Sequence, residues 1–136
     1  MKKPLLVSSA ILILMSFVHI IWGRENFLSD FADNQDGLRL IATISWYQSA
    51  GVVFLLGLFL GFQAVRGVMN KMFILFSLLS LVANILIFSI LAIMNDETKL
   101  LLSSFPQLVT FSVVIGLLVY STTKSKEISQ EKDSSI

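Results

Sequence analysis

The stretch Leu40–Val65, LIATISWYQSAGVVFLLGLFLGFQAV, decides the fold. It holds no Asp, Glu, Lys, Arg or His over about 26 residues, and about 20 such residues in an α-helix span the hydrocarbon core of a bilayer. Its first half carries Thr43, Ser45, Trp46, Tyr47, Gln48 and Ser49; its second half is aliphatic around Gly57 and Gly61. Small residues four apart let another helix approach the backbone closely, so this segment reads as a packing spine.

Three further runs flank it. Leu5 to Trp22 follows Met1-Lys2-Lys3-Pro4, a basic start before an apolar stretch. Small residues suited to a cleavage site are missing near its end, so it reads as an uncleaved helix over 4–22 with Pro4 in the first turn. Met72 to Met94 gives a third helix over 72–94, and Leu100 to Tyr120 a fourth over 100–120. Pro106 either marks the start of that fourth helix near Ser104 or kinks a longer one. Residues 23–39 form a polar, acidic loop in which Phe27, Leu28 and Phe31 share one side of a short interfacial helix, and Asp36-Gly37 reads as a turn. Asp33 to Gly37 lacks the alternating ligands and closing Glu of a calcium loop. Residues 121–136 read as a polar tail, disordered or at most a frayed extension of the fourth helix.

The whole chain agrees with its parts. It is 136 residues long, 55% hydrophobic and 14% charged, with mean hydropathy +0.82, whereas soluble domains carry about 25% charged residues. A water-soluble fold of this size cannot hide so much apolar surface, so lipid is its solvent. A net charge of +1 gives no basic excess for nucleic acid, and the lack of cysteine removes disulfides and thiolate chemistry. The expected architecture is an all-α integral membrane four-helix bundle.

Charge sets the orientation. Lys2, Lys3, Arg66, Lys71, Lys124, Lys126 and Lys132 fall on the side of the termini, against Arg24, Arg39 and Lys99 on the other. The positive-inside rule then places both termini in the cytoplasm and directs Trp22 and Trp46 to the outer interface. A bacterial-type inner membrane is the expected home, with Met1-Lys2-Lys3 as the hint of source.

An ionisable group at mid-membrane costs about 2.5–3.5 kcal/mol on insertion scales and marks function by default. The four spans contain no Asp, Glu, Lys or Arg. In size and helix count the chain resembles the small four-helix multidrug transporters, which use an embedded glutamate; nothing at a corresponding place matches. The layout is also similar to DoxX-type and other small bacterial four-helix membrane proteins.

His19 is the titratable candidate, one turn from the outer end of the first helix and on the same face as Trp22. Ser9, Leu12, Ser16, His19 and Gly23 make a small or polar stripe there. It reads either as a ligand contact or as an interfacial histidine bonded to a neighbouring helix. Tyr47 and Gln48 on the second helix, Asn84 on the third, and Gln107 and Thr110 on the fourth descend from the same side or reach the middle. Converging with His19 and Trp22, they would line a neutral pocket for a lipid, quinone or other hydrophobic ligand. The plainer reading makes them inter-helix hydrogen bonds worth around 0.6 kcal/mol each. Gly57 and Gly61 serve either internal packing or a contact with a second copy or a partner membrane protein, and Ser77, Ser80, Asn84 and Leu91 offer a counterpart stripe.

The sequence thus points to a small accessory, assembly or ligand-holding membrane protein without catalytic residues. A transporter or channel for an uncharged or hydrophobic solute is the alternative, and a redox or enzyme subunit using His19 the third reading. Membrane lipid is the expected partner in each.

Overall fold

The computed structural model describes residues 2–22, 24, 36–67, 69–94, 102 and 104–133. Among the described residues four long helices follow one another, α1 (Lys2–Trp22), α2 (Asp36–Arg66), α3 (Lys71–Met94) and α4 (Phe105–Asp133), and no strand occurs. All four are long and apolar enough to cross a membrane, over Lys3–Trp22, Thr43–Arg66, Lys71–Met94 and Phe105–Lys124. Large apolar side chains cover the outside, among them Leu14, Val65, Met72, Phe76 and Ile93. In water that surface would drive aggregation; against lipid it carries no penalty.

α1 sits between α2 and α4, and α4 in turn packs on α3. The core runs through this row as Leu5 and Leu12, Leu56, Leu60 and Ala64, Ile74 and Leu81, and Phe111, Val114 and Leu118. α1 and α2 lie closest. A Cβ at Gly57 would come within 2.9 Å of Ile13 Cγ1 and 3.1 Å of the Ile13 nitrogen and the Ser9 carbonyl, and one at Gly61 within 2.6 Å of Ser9 Oγ. The glycines therefore meet α1, Gly57 at its backbone and Gly61 at the Ser9 side chain, and not the serine stripe of α3. Phe17 on α1 adds an edge-to-face contact with Phe54, centroids 5.8 Å apart.

The basic connection between α2 and α3 has a defined chemistry. Gly67 takes φ 70°, the left-handed conformation that ends helices and suits glycine. Asn70 then caps α3: its Oδ1 accepts the Phe73 amide at 3.1 Å, while its own amide donates to Gln63 Oε1 at 2.8 Å. Arg66 lays its guanidinium over the Phe62 ring at 4.3 Å.

At the helix ends one boundary differs from the sequence reading, and two fall on alternatives that it named. α2 starts at Asp36, so Asp36-Gly37 is its first turn instead of a loop turn; an acidic residue is favoured at that end of the helix dipole. α4 starts at Phe105, with the Ser104 carbonyl accepting the Gln107 and Leu108 amides at 3.0 and 3.1 Å. Pro106 lies in the first turn, where its missing N–H breaks no bond, and no kink is needed. α4 also continues through Asp133, past the expected start of the tail. Lys, Glu and Gln are good helix formers, and extending a packed helix avoids the cost of nucleation. The surface helix expected at Phe27 to Phe31 lies outside the described residues.

Candidate functional site

The four helices part at the end of the bundle remote from the termini and enclose a cavity of about 540 Å³. That is the volume of a pocket for a drug-sized molecule. α2 contributes Ser45, Trp46, Ser49, Ala50 and Val53, residues that recur at one helical face. α1 brings Met15, Ser16, His19 and Trp22. Asn84, Ile85, Ile87 and Phe88 come from α3, and Ser104, Gln107, Leu108 and Phe111 from α4.

One wall is aromatic. The His19 imidazole and the Trp46 indole are stacked at 4.0 Å with planes 4° apart, and Trp22 stacks on Trp46 at 5.9 Å. Hydrogen bonds fix this wall from both sides. Trp46 Nε1 donates to the His19 carbonyl at 2.9 Å, tying α2 to the end of α1. Ser49 Oγ donates to the Trp46 carbonyl at 3.0 Å, so its single proton is committed. The His19 Nε2–H then donates to Ser49 Oγ across 3.2 Å, which leaves Nδ1 of the neutral ring as an acceptor. Gln107 lines the same cavity from α4.

The rest of the lining is mainly apolar and carries no Asp, Glu, Lys or Arg. Among the described residues no group of three His, Cys, Asp or Glu side chains comes together. The site offers stacking surface, amide and hydroxyl hydrogen bonds, and one imidazole. No family model, curated protein or solved structure matches this chain. The function must be argued from the cavity itself.

Of the residues singled out in the sequence, His19, Trp22, Asn84 and Gln107 line this cavity. Tyr47 and Gln48 do not: they are exposed on α2, turned away from the Ser45, Trp46 and Ser49 face. Thr110 is also outside it, its hydroxyl donating to the Pro106 carbonyl at 2.7 Å. Gly57 and Gly61 lie lower, in the α1–α2 contact. Sequence reading passed over Ser45, Ser49 and Ser104. The signal for the first two was present, because Ser45, Ser49 and Val53 recur every four residues beside Trp46 and Ala50.

Proposed function

We propose that this is a multi-pass membrane protein of a bacterial-type inner membrane, with both termini cytoplasmic, that holds an uncharged hydrophobic ligand in the outer half of its bundle without reacting with it. The observation that carries this reading is the cavity: large enough for a ligand, mainly apolar, free of formal charge in its lining, and furnished at one wall with a fixed histidine–serine–tryptophan cluster. Such a site favours neutral molecules, because a charged guest would leave water without a counter-charge to meet it. The seven-to-three asymmetry of Lys and Arg supports the orientation.

A thermal-shift series in nanodiscs tests it. Ligands that bind only the folded state raise the melting temperature by mass action. A neutral amphiphile such as a long-chain alcohol, a monoacylglycerol or an alkylated benzoquinone should raise it, while alkylammonium and fatty-acid analogues should do so far less. Ala50→Phe, which fills the cavity from its α2 wall, should fold and lose the shift. Equal shifts for charged and neutral probes, or shifts that survive the filled cavity, would count against a neutral binding site. Passage of a neutral solute across sealed liposomes would make the protein a transporter instead.

A further inference from the structure

The row of helices leaves one seam unsealed. α2 packs on α1 and α3 on α4, but α2 and α3 have no continuous packing with each other. They meet near their shared turn, where Phe59 and Phe73 lie 5.5 Å apart and Gln63 bonds Asn70. Farther from that turn they diverge at the level of the cavity, and Ser45 on α2 and Asn84 and Ile87 on α3 both line the cavity and are exposed. Ile87 is 58% exposed. Asn84 lies about ten residues before the end of α3, roughly 15 Å down at 1.5 Å per residue, and so near the middle of its span. In a membrane-spanning bundle an opening at this depth would face hydrocarbon.

A primary amide at that depth is costly unless it is bonded. Asn84 has no hydrogen-bond partner among the described residues. Gln107 places a second amide on the cavity from α4, and the Trp22, Trp46 and His19 rings, stacked on one another, put a group of aromatic rings at one wall. Amide N–H groups seek carbonyl oxygens, and aromatic rings attract a further ring in offset-stacked or edge-to-face contact.

Building on the ligand-holding reading, we propose that the ligand is a bilayer-dissolved amphiphile with a flat, uncharged, carbonyl-bearing head, of which an alkylated quinone is the simplest example, and that it passes sideways between α2 and α3. The head rests against the tryptophans with its oxygens toward Asn84 and Gln107. The hydrocarbon tail leaves through the slot beside Ile87 into the lipid.

The chain has no cysteine, so a slot can be stapled cleanly. Its two tryptophans, Trp22 and Trp46, both line the cavity, so quenching of their emission reports a quinone bound there. In Ser45→Cys/Ile87→Cys protein in nanodiscs, saturable quenching by a fully ring-substituted decyl-benzoquinone, which leaves no open ring carbon for a thiol to add to, is followed before and after the cysteines are linked. Linking the two cysteines with a flexible bifunctional methanethiosulfonate should slow both binding and release at least tenfold, and cleaving the link with a reductant that is removed before the quinone is added back should restore both rates. A monofunctional reagent on the same cysteines adds comparable bulk without joining the helices, and should slow both rates far less than linking does. Asn84→Leu should weaken quinone binding several-fold while a monoacylglycerol competes poorly. Unchanged exchange after linking would overturn the lateral route, and a monoacylglycerol that displaces the quinone at equal concentration would overturn the flat carbonyl head. Lack of saturable quenching in the unlinked protein, with the thermal-shift series also blank, would remove the ligand-holding reading beneath both.

Discussion

At the scale of single residues, the site depends on where a few polar atoms spend their hydrogen bonds. Ser16, Ser77 and Ser121 each return a hydroxyl to a carbonyl of their own helix, at 2.7, 2.9 and 2.8 Å. Ser8 does not: it is 0% exposed and its Oγ has no partner among the described residues. A buried hydroxyl without a bond costs about 1–3 kcal/mol, so Ser8→Ala should stabilise the bundle by about 1 kcal/mol. Thermal unfolding in detergent checks this, and a lower melting temperature would show that the hydroxyl is satisfied by something that fills the contact. At the same scale, His19 was legible as the titratable centre because it interrupts an otherwise neutral span. Tyr47 and Gln48 fall outside the cavity because Trp46, Tyr47, Gln48 and Ser49 are consecutive, and a helix turning 3.6 residues per turn cannot aim four neighbours at one cavity. Ser45 and Ser49 were overlooked because short hydroxyls in membrane helices usually bond to their own backbone. Ser49 does so too, and becomes part of the site through the imidazole that donates to it.

Among the elements, the closest contact is that of α1 with α2, and it distinguishes two glycines that look alike in sequence. At Gly61 the obstacle to a Cβ is chiefly the Ser9 hydroxyl at 2.6 Å, with Ser9 Cβ at 3.4 Å. At Gly57 two of the three obstacles are backbone atoms, the Ile13 nitrogen and the Ser9 carbonyl. Overpacking of this kind costs about 1–3 kcal/mol. Gly61→Ala should therefore destabilise, and Ser9→Ala in the same chain should recover most of the loss. Gly57→Ala should destabilise without such rescue. A double-mutant cycle by thermal unfolding measures the coupling, and equal recovery at both positions would contradict the close backbone approach at Gly57. The existence of the helices was legible because long uncharged runs admit few other structures in lipid. Their ends were less so. Asp36-Gly37 and Pro106 are turn signals in many contexts, yet both occur here within the first turn of a helix, where local sequence reads the same way.

For the molecule as a whole, hydropathy determined the number of helices and their capacity to cross a membrane, but not their order in space. α2 and α3 have no continuous packing with each other, and the cavity lies at the end remote from the termini. No periodicity in either helix announces it, since lipid-facing and cavity-facing positions are both apolar. The central claim is that this space holds an uncharged ligand. Native mass spectrometry of the protein released from mild detergent tests it most directly, alongside Ala50→Phe. The account predicts a neutral adduct of one molecule per chain on the native protein and a bare mass for the variant. A bare native chain, or the same adduct on both proteins, would contradict it.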